Sequence, residues 1–185
     1  EQGEGNATAV ELLHLADRPV LVAQAGRLPA NVVVGIDFRP SSLRAASLAL
    51  QMLRSGGSVH LVHVKPSMDF PAASVWDWGQ CYQCAVENGF QSLVTRLSDR
   101  GVEATSEVRA GDPAEVLMAV AEERDADLLA IGSDGYICNG RVVVGRVARA
   151  VLGRSPVPVL ASPVTTLMDD ELTGLTVAEN VTKVV

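Results

Sequence analysis

Five short runs of strand character alternate along this chain with four longer stretches of helical periodicity, and few architectures admit that order. The first run, Asn31–Asp37 (NVVVGID), is apolar and rich in β-branched residues, as expected of a strand covered on both faces. Val59–Val64, Asp127–Gly132 (DLLAIG) and Val157–Ala161 (VPVLA) read the same way. Residues 102–109 alternate instead, with Val102, Ala104, Ser106 and Val108 on one side and Glu103, Thr105, Glu107 and Arg109 on the other, which suits an edge strand with one wet face.

Between the runs, Ser41 and Ser42 after Pro40 start a helix through Leu43, Ala46, Leu50 and Leu53 that Gly56-Gly57 stops. Lys65–Ser74, with Pro66 and Pro71, reads as loop, and Val75–Arg100 as a helix with Gly79 and Gly89 as weak points. Asp112-Pro113-Ala114-Glu115 is a strong helix start: a side-chain oxygen at the N-cap, Pro at N1 and Glu at N3 to close a capping box. A fourth helix is expected over Val144–Leu152. Alternation of this kind requires parallel strands joined by right-handed crossovers, so the expected fold class is α/β, a doubly wound three-layer sandwich.

Composition narrows the function. With 15 Lys+Arg against 22 Asp+Glu, the net charge of −7 works against holding a polyanion, and no basic cluster appears, so nucleic acid is not an expected partner. No apolar run reaches the roughly 18 residues that cross a bilayer, and Glu1–Asn6 is unlike a signal peptide, so the expectation is a soluble, cytoplasmic protein with no membrane partner. Cys81 and Cys84 form a C-x-x-C that cannot alone fill four zinc sites; half-buried packing is expected of them. His14, His60 and His63 show no ligand spacing, and structural roles are expected. Trp76 and Trp78, with Tyr82, read as a cover over the sheet edge or a partner surface.

The start of the chain repeats its later part. Displaced by 139 residues, Ala9, Leu12, Leu13, Pro19, Val20 and Leu21 fall on Ala148, Val151, Leu152, Pro158, Val159 and Leu160 without a gap. A helix and a strand alone cannot bury their apolar faces. Residues 1–30 are therefore expected to be the remnant of a second copy plus linker, or a piece that docks where such a copy would; 31–163 is the complete domain and 164–185 a tail.

In an open parallel sheet, ligands bind beyond the carboxyl ends of the strands where strand order reverses, and a nearby helix N-terminus offers free N–H groups to an anion. Two segments fit: Gly35-Ile36-Asp37-Phe38, and Ile131-Gly132-Ser133-Asp134-Gly135 followed, after nine residues, by Gly145-Arg146. Gly132 and Gly135 can let backbone cradle phosphate, with Gly145 opening the facing helix.

At these residues the sequence resembles the universal stress protein family, whose signature is G-x2-G-x9-G-[S/T] together with V-G-x-D on the first strand of the domain. Gly132, Gly135 and Gly145 stand at the three glycine places, Val34-Gly35-Ile36-Asp37 at the strand motif and Pro158-Val159-Leu160 at the closing strand. The resemblance covers residues 31–163 and implies an adenine-nucleotide-α-hydrolase-like sheet of five strands in the order 3-2-1-4-5, with dimers joined through the last strand.

Some members bind ATP and others act as regulatory or stress-survival modules without it. For nucleotide binders the resemblance implies Asp37 and Val64 at the nucleoside, Ile131 beside the adenine, and Gly132, Gly135, Gly145 and Arg146 at the phosphates, with Gly35 and Val147 completing the expected binding residues. The expected ligand is ATP or AMP, with Mg. This chain departs from the pattern: Arg146 replaces the hydroxyl residue, Asp134 adds negative charge, and the loop at 136–144 keeps Arg141 but lacks the usual Ser-Gly and Lys.

Two readings follow. In one the chain is a regulatory module holding adenylate; in the other it is an interaction module whose pocket Arg146 closes. In the second, Val20–Ala23 pairs along Val159–Ala161 as an intrachain pseudo-dimer in place of a homodimer. An α-hydrolase enzyme fits poorly, because Asp37-Phe38-Arg39-Pro40-Ser41 replaces the pyrophosphate loop such enzymes carry and no catalytic set is placed. Slow ATP hydrolysis is the most that is expected.

Overall fold

The computed structural model describes residue 11 and residues 18–23, 27–65, 76–134, 136–138 and 141–163, with backbone alone at 76–80, 136–138 and 141–143. The strands are β1 (Val20–Val22), β2 (Asn31–Gly35), β3 (Ser58–Lys65), β4 (Glu103–Ala110), β5 (Leu128–Ser133), β6 (Tyr136–Cys138), β7 (Arg141–Val143) and β8 (Val159–Pro163). The helices are α1 (Pro40–Met52), α2 (Trp76–Asp99), α3 (Pro113–Glu123) and α4 (Arg146–Arg154). The main sheet runs β1-β8-β5-β2-β3-β4, and every pair in it is parallel except β1 with β8.

The continuously apolar strands are those that both layers cover. Val32 and Val34 of β2 face α1 and α2 in one cluster with Leu43, Leu61, Phe90 and Leu93. Val33 faces the other side, with Leu117 and Val120 of α3, Val151 and Leu152 of α4, and Leu129. Strand order reverses between β2 and β5, and α1 and α3 lie on opposite faces there. In open parallel sheets such a reversal is where ligands bind.

Several expectations shift. The sheet has six strands, not five, because β1 adds to the edge of β8 in antiparallel register, Val20 opposite Ala161, Leu21 opposite Leu160 and Val22 opposite Val159. This register is centred on Leu21 and Leu160, the two residues that the 139-residue displacement superimposes. The last helix starts at Arg146 instead of Val144, since β6 and β7 form a hairpin in what reads as loop. Cys81 and Cys84 are exposed, not half-buried: the buried stripe of α2 runs through Val86, Phe90, Leu93 and Leu97, and neither cysteine lies on it. The start of α3 is as expected in Asp112, which accepts from the N–H groups of Ala114 and Glu115, but Glu115 turns to Arg154 of α4.

The buried histidines are hydrogen-bonded. His60 meets Thr105 Oγ1 at 2.7 Å and Glu107 Oε1 at 2.8 Å, tying β3 to β4. Burial works against the Glu107 carboxylate, yet the bonds from His60 and Arg109 outweigh it and hold its pKa low. His14, Gly135 and residues 164–185 lie outside the described residues. No helix among the described residues is long and apolar enough to cross a membrane.

Asp127 ties the starts of β2 and β5 together. Its Oδ2 accepts from the backbone N–H of Ala30 at 2.8 Å and of Asn31 at 3.1 Å, and its Oδ1 from Arg27 at 3.0 Å. The Ala30 bond, with those of Asn31 and Arg27, outweighs burial and lowers the carboxyl pKa. A lowered folded pKa gives stability that is complete above the unfolded value, near 4, and fades as pH falls through the folded one. Asp127→Ala leaves the two backbone donors and Arg27 unanswered and is expected to cost about 1–3 kcal/mol at pH 7. Urea unfolding should show the gap to the wild type narrowing below about pH 4; a gap that does not change with pH would contradict this role.

Candidate functional site

Glycines bring the helices close to the sheet at the reversal point. A Cβ on Gly35, the last residue of β2, would come 2.9 Å from Leu117 Cδ1 of α3. On the opposite face, a Cβ on Gly132 of β5 would stand 2.6 Å from both Ser41 Oγ and Ser42 N, so α1 begins directly against β5. Gly35 is opposite Ile131, which is buried, and Val62 in the ladder, and Val64 packs near the end of β3 against the α3–α4 side.

Beyond the strand ends the chain supplies charge. Asp37 follows β2, and its carboxylate Oδ1 accepts from the Arg39 N–H at 3.0 Å while its own N–H donates to Ser42 Oγ at 3.3 Å. Asp134 follows β5: Oδ2 accepts from Arg39 Nη1 at 2.6 Å and Oδ1 from the Ser41 hydroxyl. Arg39 Nε is also 3.8 Å from Asp37 Oδ2, so one guanidinium spans the carboxylates that end two neighbouring strands. The hydrogen bond it donates to Asp134, then the charge of Asp134, then that of Asp37, raise the Arg39 pKa further. No side chain caps α1, whose N-cap is Arg39, and Asp134 supplies the negative charge its first turn favours.

The fourth helix begins with Gly145 at the N-cap, where a Cβ would meet the Asp134 carbonyl oxygen at 3.0 Å. It has no side-chain cap and no acidic residue in its first turn, and Val147 packs beneath it on the core. Arg146 does not close the crevice. Its side chain is 83% exposed, and its paired carboxylate, Asp112 of the α3 cap, is 3.8 Å from Nη1, because the first position of α4 faces outward toward α3. A cation at the positive end of a helix is poorly placed unless an anion joins it.

A ring cluster adjoins Asp37. Phe38, at φ +62, turns its ring onto Phe90 and His63, with centroids at 5.4 and 5.8 Å. A Cβ on Gly89 would lie 2.5 Å from that ring, so the glycine that reads as a weak point in α2 makes the notch for it. His63 Nδ1 lies 2.7 Å from the Ile36 carbonyl, which only accepts; this nitrogen therefore carries a proton, and in the neutral ring Nε2 accepts from the Tyr82 hydroxyl. Burial, and then the nearby charge of Asp37, raise the Tyr82 pKa.

The structure thus brings Gly35, Asp37, Ile131, Gly132, Gly145 and Arg146 to one end of the sheet, with Val64 and Val147 in its packed flank. Gly135 lies outside the described residues, as do the side chains of Trp76, Trp78 and Arg141. Sequence reading missed Arg39 and Ser41, although a helix opening on Pro40 with no acidic first turn signals a start in need of an anion. No group of three or more His, Cys, Asp and Glu among the described residues could hold a metal ion.

The model of the universal stress protein family matches residues 30–163. The chain belongs to that family. A universal stress protein of Methanocaldococcus jannaschii is 26% identical over 147 residues, which are 76% of this chain and 85% of that protein. Among solved structures, a universal stress protein from Archaeoglobus fulgidus aligns with a TM-score of 0.56 at 22% identity, covering 78% of this chain but only 50% of its own.

Two further family structures hold ligands. A universal stress protein in complex with cAMP has a TM-score of 0.54 and 26% identity, covering 76% of this chain and 99% of its own. A family protein from Arabidopsis thaliana with AMP bound has a TM-score of 0.55 and 19% identity, covering 75% and 94%. The α/β sheet with helices on both faces is the fold of these universal stress proteins.

Proposed function

We propose that this chain is a regulatory module of the universal stress protein family that binds an adenine nucleotide in the crevice between the ends of β2 and β5. The reading rests above all on the uncapped start of α4, where Gly145 lies against Asp134 and the exposed Arg146 stands at the positive end of the helix. An anion there satisfies both the free N–H groups and the guanidinium. The cAMP and AMP bound by two relatives support the same ligand class. Asp37, Gly35, Val64 and Ile131 would hold the nucleoside. Gly132, Gly135, Gly145, Arg146 and Val147 would hold the phosphates, and Mg would accompany ATP.

Thermal melting with millimolar AMP, cAMP and Mg-ATP tests this. A ligand at 100 times its Kd stabilises by about 2.7 kcal/mol, a rise of roughly 5–10 °C in a chain of this size. An unchanged melting temperature with all three would overturn it.

A second reading concerns contacts between domains. The β1–β8 register is centred on the pair of residues that the internal repeat equates, as in a two-fold contact between like strands. It supports residues 1–30 as the end of a second copy docked on the edge through which the resemblance implies that family members dimerise. The chain would then carry its own pseudo-dimer contact.

A further inference from the structure

We propose that Cys81 and Cys84, on the outer side of α2, bind one Cu(I) ion between their two thiolates. The inference is independent of the nucleotide reading. Both cysteines are free and exposed, on a helix whose core contacts are made by Val86, Phe90, Leu93 and Leu97. A free cysteine is ordinarily among the most buried of residues. Packing therefore accounts for neither of this pair.

Their spacing decides what the two sulfurs can do together. Side chains three residues apart on a helix leave the same flank, with Cβ atoms about 5–6 Å apart. A disulfide requires about 3.5–4.5 Å between those atoms, so forming one would distort a turn inside a helix of 24 residues. A metal ion spans the gap without that distortion. With metal–sulfur bonds of about 2.3 Å, as in zinc thiolates, an ion in line between two sulfurs holds them about 4.6 Å apart. Side chains reach that span while their Cβ atoms stay where the helix puts them.

The number of ligands selects the ion. Among the described residues no third His, Cys, Asp or Glu joins the pair, so Zn(II), which takes four ligands, is left short. Calcium and magnesium take oxygen ligands instead. Cu(I) is soft, is favoured by thiolates, and is satisfied by two of them in a near-linear arrangement. On binding, each thiol gives its proton to solvent and copper stays Cu(I), so no electron is transferred. The ion and two thiolates together carry one negative charge, which water stabilises at an exposed site.

The test is an anaerobic titration of the reduced full chain with Cu(I) buffered by a coloured chelator. The wild type is expected to withdraw one Cu(I) per chain, whereas Cys81→Ser and Cys84→Ser each leave the ion with the chelator. Both positions are exposed, so the two variants should unfold in urea as the wild type does, which separates loss of the site from loss of the fold. Cys138→Ser is expected to keep the ion, and its loss there would overturn a site made by two thiolates. A wild type that takes up no Cu(I), or a single variant at Cys81 or Cys84 that still does, would overturn the site itself. Zn(II) displacing Cu(I) at equal concentration would overturn the choice of ion. Oxidised glutathione is expected not to join Cys81 to Cys84, and a disulfide between them would overturn the argument from spacing.

Discussion

Gly132→Ala is expected to lower stability by about 1–3 kcal/mol and, with it, to abolish the adenylate binding proposed above. The new methyl group would stand 2.6 Å from the Ser42 backbone nitrogen and 2.9 Å from the Ser41 carbonyl carbon. Backbone cannot yield as a side-chain tip can, so α1 must back away from β5. Its first turn carries Arg39, Ser41 and Ser42, and these hold Asp134 and the N–H of Asp37. One added carbon therefore disturbs the packing and both carboxylates. The measurements are urea unfolding and nucleotide titration, with Gly153→Ala in α4 as the contrast: open space surrounds that position, and alanine there should be neutral or stabilising by up to about 1 kcal/mol. A Gly132→Ala protein that unfolds like the wild type would show that the close approach at β5 is not needed.

Removing residues 1–23 should change the assembly state. Without β1, the N–H and C=O groups along one side of β8 lose their partners at Val159–Ala161, and Val20 and Val22 no longer pack on the α3–α4 layer. A bare strand of this kind pairs with its equivalent. The truncated chain should sediment as a dimer joined through β8 and unfold at lower urea than the full chain. A truncated protein that stays monomeric and equally stable would overturn the pseudo-dimer reading.

The strands that both layers bury were legible because their apolar character does not depend on distant residues: β2 and β5 read directly from VVVG and LLAIG. The start of α3 was legible because Asp112 and Pro113 act within one turn. The β6–β7 hairpin is also written locally, as Asn139-Gly140 between two short strand-forming runs. Other features depend on residues far apart in sequence. Arg39 finds Asp134 95 positions away, and Gly89 answers to the ring of Phe38. The outward course of Arg146 follows from where α3 ends up beside α4, which no local pattern states.

The described sheet has two outer margins, and each is blunted in its own way. At one stands β1, three residues long, too brief to template a neighbouring chain. At the other, β4 is long enough to do so, but Glu103, Glu107 and Arg109 stud it with charge. Fibre-like stacking of one molecule on the next is thereby discouraged from either flank.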